Sequence, residues 1–175
     1  MKKQMEDCFF PISFETTASE KHFIRMNTDE FIQPERGMTI DCSPLKHPGG
    51  SFAYRLREGG KTFIFATDAE FAGEDLEKVG NDNDFFKNAD LLMIDSQYTL
   101  DESFFKFTWG HTSYTMAVNC GIRWNVKNLV LTHHEPSYSD SKLNQILDEA
   151  VNHRNAMKML KPNIYLAREG MTFKL

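Results

Sequence analysis

The sequence predicts an α/β or α+β fold built on a mixed β-sheet with flanking helices. Three observations carry this expectation. Two β-rich runs, 51–57 and 61–66, are joined by Glu58-Gly59-Gly60, and a short glycine-bearing connector between such runs makes a hairpin. Two other short runs, 90–95 and 128–132, are apolar without alternation, the pattern of strands covered on both faces. In the second half, runs with helical periodicity alternate with these strands. At 175 residues and 41% hydrophobic, the chain is expected to form one domain, 1–175, with a real core.

Taken in order, the chain opens MKKQMEDCFF, two lysines followed by acidic and polar residues, with no apolar stretch of a secretory signal. No apolar run approaches the ~20 residues needed to span a bilayer. Residues 1–15, with Phe9-Phe10-Pro11-Ile12, are expected as an extended entry packing aromatics on the core. Residues 21–26 alternate and predict a strand with His22 exposed. Pro34-Glu35-Arg36-Gly37 is turn chemistry, and 38–42 predicts a short strand. Ser43-Pro44-Leu45 then leads to His47, and the hairpin follows.

After Asp68 the chain leaves the strand, and 73–84 is polar, with room for one helical turn. Residues 96–110 are expected to be irregular, with an aromatic cluster at Phe104, Phe105, Phe107 and Trp109. Residues 112–120 predict a helix, capped by Thr112 or Ser113 and closed by Gly121. The strand 128–132 runs straight into His133-His134. Ser139-Asp140 caps a long helix whose apolar face is Leu143, Ile146, Leu147, Ala150 and Val151, with Pro162 as its stop. Residues 164–167 and 171–174, around Glu169-Gly170, predict a last hairpin.

Net charge is −5 with both signs scattered, so no basic stripe argues for nucleic-acid binding through bulk electrostatics. The three cysteines, Cys8, Cys42 and Cys120, are odd in number and lack CxxC spacing. They are expected as reduced, buried thiols in the cytoplasm.

The polar residues at strand ends carry the chemistry. An antiparallel hairpin returns to the edge where it began, so His47 before it and Asp68 after it are expected at one sheet edge. Asp68, Asp95 and His133 each end a strand at its carboxyl side, where ligands gather in α/β folds. His111 stands just before a helix. Imidazole and carboxylate at one edge suit a metal corner. On the hairpin alone, a polar loop with a helix-capping aspartate fits as well. Taken singly, Asp95 serves as a turn cap and His134 and His153 as surface residues.

The segments HPGGSFAYRL, FIFATDAEF, ADLLMIDSQYT, WGHTSY and LVLTHHEP, in this order, resemble the C-terminal half of a metallo-β-lactamase-fold hydrolase. The similarity is to the phosphodiesterase-like branch, with the cyclic-phosphate phosphodiesterases and the tRNA 3′-processing ribonuclease. The resemblance implies that His47 ligates one metal, Asp68 bridges two, and His133 ligates the other. It implies that His111 contacts the scissile phosphate and protonates the leaving oxygen, with Asp95 orienting it. Whether His134 replaces His133 as ligand stays open. Zn or Mn suits these donors, two ions per complete site. The implied partner is a small phosphodiester or an RNA 3′ end, with no membrane.

The first metal motif of that family, His-x-His-x-Asp-His, does not occur in these 175 residues. The expectation is therefore a metal-dependent hydrolase relative that is inactive or weakly active as this chain alone. It would associate as a homo-oligomer or with a missing N-terminal half. The alternative is a non-catalytic, self-associating remnant.

Overall fold

The computed structural model describes residues 2–28, 30–73, 76 and 85–175. Among these residues, seven strands form one sheet in sequential order. They are β1 (Phe31–Ile32), β2 (Met38–Leu45), β3 (Ser51–Glu58), β4 (Lys61–Ala66), β5 (Leu91–Asp95), β6 (Asn128–Thr132) and β7 (Asn163–Leu166). The first three pairings are antiparallel and the last three, from β4 onward, are parallel. The sheet is mixed, as the sequence predicts. Gly59 and Gly60, at φ 55° and 76°, make the two-residue turn between β3 and β4, with Glu58 opposite Lys61. Both positions demand the left-handed conformation that glycine adopts without strain.

Among the described residues, three α-helices accompany the sheet: α1 (Leu100–Phe105), α2 (Tyr114–Arg123) and α3 (Asp140–Ala156). Helices α2 and α3 pack on one face. Their buried Ala117, Val118, Cys120 and Ala150 share a core with Ala53, Ile64, Ala66, Leu92, Ile94, Leu129 and Leu131. Phe86 stacks on Trp124 at 4.4 Å and closes that core near the start of β5. The apolar face of α3 read from its periodicity is the face that meets this core: Ile146 and Ala150 are buried and Leu143, Leu147 and Val151 pack beside them.

Several elements depart from the sequence reading. Residues 21–26 are not a strand; Phe23 and Ile24, adjacent in sequence, are both exposed, so alternation there does not sort one face inward. Phe9, Phe10 and Ile12 are exposed too and do not pack into the core, and Cys8 beside them is exposed, unlike the buried Cys42 and Cys120. Strand β2 continues three residues beyond Cys42, through Pro44. That proline lies past the Phe31–Asp41 pair that ends β1, so its missing N–H opposes no strand on that side.

Residues 100–105 are helical because Thr99 and Glu102 form a capping box, which the sequence reading passed over as irregular. Helix α2 starts after Ser113, whose side chain accepts from Met116 N, and runs through Gly121 to Arg123. Helix α3 stops at Ala156, short of Pro162. Residues 171–175 form no strand, so the last hairpin is absent and β7 is a lone parallel edge. The helical turn expected within 73–84 lies almost wholly outside the described residues.

Candidate functional site

Strands β4, β5 and β6 run parallel, with Ala66 beside Ile94 and Asp95 beside Thr132. Their carboxyl ends therefore share one edge. Asp68 follows β4 by two residues, Asp95 ends β5, and His133 follows β6 directly. Strand β3 is antiparallel to β4, so His47, four residues before β3, reaches the same edge. The backbone there is strained: Asp68 and His133 hold φ of 54° and 59°. Non-glycine residues in that region are uncommon and cluster at sites where the surrounding structure over-determines them.

His111 stands at the middle of the site. Its ring centroid is 5.3 Å from that of His47 and 4.9 Å from that of His133, on which it stacks. Its Nδ1 donates to Asp95 Oδ2 at 2.8 Å. Asp95 is fully buried and also accepts from the backbone N–H of Ala69, Gln97 and Thr112, each at 3.1 Å. A carboxylate tied down by three backbone donors cannot rotate away, so it fixes the imidazole's orientation and leaves Nε2 for a ligand.

Donor atoms of His47, Asp68 and His111 lie within 4.8 Å of one another, as do those of Asp95, His111 and His133. His133 Nε2 is 3.5 Å from Asp68 Oδ1. Asp68 is thus near a histidine from the start of the hairpin and another from the end of β6. The structure brings together all five residues read from the sequence: His47, Asp68, Asp95, His111 and His133. His47 Nδ1 accepts a long bond, 3.3 Å, from Gly49 N.

Three further residues build the site and escaped the sequence reading. Glu70 is buried. Its Oε2 accepts from Gly110 N at 3.1 Å, its Oε1 meets Lys46 Nζ at 2.8 Å, and its own N–H donates to Lys46 O. One side chain thereby joins the segments bearing His47, Asp68 and His111. Burial raises its pKa, but Lys46 and the Gly110 N–H outweigh burial and hold the carboxyl below its ordinary range.

Thr112 Oγ1 donates to Ala69 O and accepts from Phe71 N, locking the loop after β4 to the start of α2. Gly110 has φ 95°, and a Cβ there would lie 2.5 Å from His47 Cδ2. The only sequence signals were a second acid two places after Asp68 and a lone glycine before His111.

Two histidines expected at the surface are placed otherwise. Both ring nitrogens of His134 are inaccessible to solvent, and burial lowers its pKa. His153 is half-buried, with Nε2 2.8 Å from Asn119 Oδ1. Each follows a residue of the sheet edge or helix interior, and burial is decided there by neighbours distant in sequence. His22 is exposed, as expected, beside Glu20.

No protein-family model matches the chain. Over 146 residues it is 26% identical to ribonuclease Z of Synechocystis sp., covering 82% of this chain and 40% of that protein. The chain spans about two fifths or less of the first curated relatives it matches. Among solved structures, the metallo-β-lactamase fold protein YhfI from Bacillus subtilis superposes with a TM-score of 0.65 at 20% identity. The match covers 85% of this chain and 54% of YhfI. The chain has the metallo-β-lactamase fold. Human tRNase Z, short form, shares it with a TM-score of 0.55 at 19% identity, over 81% of this chain and 44% of that one. The metallo-β-lactamase fold seen here is the part that carries the seven-stranded sheet and its two covering helices.

Proposed function

We propose that the chain carries one side of a metal-dependent phosphodiester-hydrolysing site, acting on an RNA 3′ end or a small phosphodiester. The observation that carries this reading is His111 held by buried Asp95 at 2.8 Å while it faces both His47 and His133. Similarity to ribonuclease Z supports the substrate class.

His47, Asp68 and His133 are the residues that would hold Zn or Mn. Two imidazoles and a carboxylate suit either ion, and Asp68 lies between the two histidines, with donor atoms within 4.8 Å of His47 and 3.5 Å from His133 Nε2. A bound divalent metal would supply Lewis-acid stabilisation of charge developing on the phosphoryl oxygens. His111, its Nδ1 committed to Asp95, presents Nε2 to the phosphate and delivers a proton to the leaving oxygen. Glu70 and Thr112 keep that ring in register with Asp68.

Three protein donors shared between two ions leave each with two contacts, one of them common. A catalytic zinc ordinarily takes three protein ligands and water. The chain alone is therefore expected to hold metal weakly and to turn over slowly or not at all, completing its site with donors from elsewhere. The setting is taken as cytoplasmic, on the odd number and the spacing of the three cysteines.

The test is metal titration by calorimetry together with hydrolysis of bis-p-nitrophenyl phosphate in Mn²⁺ or Zn²⁺. Weak binding that Asp68→Ala abolishes is expected. Unchanged metal binding in Asp68→Ala would refute the assignment, and robust turnover by the chain alone would refute the low activity. A second reading, a non-catalytic and self-associating domain, is favoured by the exposed Phe52, Tyr54 and Phe65 on one face of β3 and β4.

A further inference from the structure

His111 has a second neighbourhood besides the metal-ligand edge. It forms one wall of a cavity of about 310 Å³ whose other walls include Leu100, Phe104, Lys106 and Phe107. Four aromatic residues fall within six positions here, Phe104, Phe105, Phe107 and Trp109, and none belongs to the core. Phe104 is 72% exposed and Phe105 87% exposed. The stretch is nonetheless well built. The Thr99–Glu102 capping box starts α1, Glu102 also accepts from Tyr138 Oη, and Lys106 Nζ is 3.3 Å from Glu135 Oε2. A short helix anchored on its polar side and loaded with water-exposed aromatics is not explained by folding.

We propose that Phe104 and Phe107 form a stacking subsite for an unpaired base of the nucleotide next to the phosphodiester at His111. The proposal rests on the reading above and deepens it. It assigns these two residues the selection of nucleotide over base-free phosphodiesters. Three features single out a base as occupant.

The cavity is continuous with His111, so whatever fills it is covalently near the phosphate that His111 faces. Its aromatic walls offer π-faces, which take any base without hydrogen-bond readout. Cations lie along the strip. Lys46 Nζ is 5.2 Å from the Phe107 ring centroid and Lys106 Nζ is 6.0 Å from that of Trp109. Each lysine also meets an acid, Glu70 or Glu135, so their net attraction for a polyanion is small. With a chain charge of −5, stacking and not bulk electrostatics has to carry the affinity.

The probe is a single-stranded RNA trimer with 2-aminopurine at its 3′-terminal base, whose fluorescence falls on stacking, titrated into the full chain without metal. Saturable quenching is expected, with Phe104→Ala and Phe107→Ala each weakening binding on the order of tenfold. Both side chains contact the cavity from the surface, and circular dichroism verifies that the variants stay folded. An abasic trimer of equal charge should compete poorly.

Equal competition by the abasic trimer would overturn the proposal, because phosphate contacts alone would then account for binding. So would absence of quenching. Loss of self-association in Phe104→Ala or Phe107→Ala with trimer binding unchanged would also overturn it, giving the patch to a protein partner. Asp68→Ala separates the two readings. Quenching that persists when metal binding is lost supports the subsite whatever becomes of the metal assignment.

Discussion

Gly110 is the residue where the site's tolerance is smallest. It is pressed against the rings of His47 and Pro48, in a conformation that a side chain resists, and its N–H is held by Glu70. Gly110→Ala is expected to cost about 1–3 kcal/mol from backbone strain alone, before the 2.5 Å contact with His47 is relieved by moving that ring. Urea unfolding should show the loss, and metal affinity should fall with it; an alanine variant as stable as the parent would contradict the packing described. Glu70→Ala is expected to cost a similar amount, about 1–3 kcal/mol, because Gly110 N–H is then left buried and unpaired. The same titration measures it. Neither residue titrates or ligates in the proposed chemistry. Both act by position.

Helix α2 shows how an element overrides its own punctuation. Gly121 is a helix-closing residue by composition, yet the helix passes through it to Arg123. The reason is lateral. A Cβ at Gly121 would meet Pro162 Cγ at 3.0 Å and Leu129 Cδ2 at 3.1 Å, so the absent side chain lets α2 lie close against β6 and the segment before β7. Two effects compete in Gly121→Ala. Helix propensity favours alanine by about 1 kcal/mol, and overpacking a tight core costs about 1–3 kcal/mol. Overpacking is expected to win, leaving a net loss of about 1 kcal/mol, read from thermal or urea unfolding. A stabilised variant would show that Leu129 and Pro162 yield easily.

At the scale of the whole molecule, β5 and β6 are buried on both faces, while β3 and β4 expose one face among the described residues. Strands β4 to β7 are parallel, and parallel sheets occur almost only with both faces covered. Helices α2 and α3 take the face of Ile64, Leu92, Leu129 and Leu131. The opposite face carries Phe52, Tyr54 and Phe65 in register across β3 and β4, all exposed. A contiguous apolar area of that kind drives association. Sedimentation velocity at micromolar concentration is expected to show dimers or larger species, and Tyr54→Lys with Phe65→Lys should shift the distribution to monomer. A monodisperse parent monomer would remove the basis for the self-associating reading.

Much of this was legible along the chain. The β3–β4 hairpin follows from Gly59-Gly60, strands β5 and β6 from unbroken apolar runs, and α3 from its period. Four of the five site residues were legible too, because strand direction alone sends Asp68, Asp95 and His133 to one edge and returns His47 to it, whereas His111 stands before α2. Other features were settled by contacts between segments far apart in sequence. Glu70 matters because Lys46 and Gly110 arrive beside it, and Gly121 lacks a side chain where Leu129 and Pro162 leave little room for one. The ring nitrogens of His134 are shut off from solvent, which its place just after β6 does not announce. Local pattern encodes which face of an element is apolar and where an element turns. It does not encode which distant atoms will fill a neighbour's space, and that is set only when the sheet and helices close on one another.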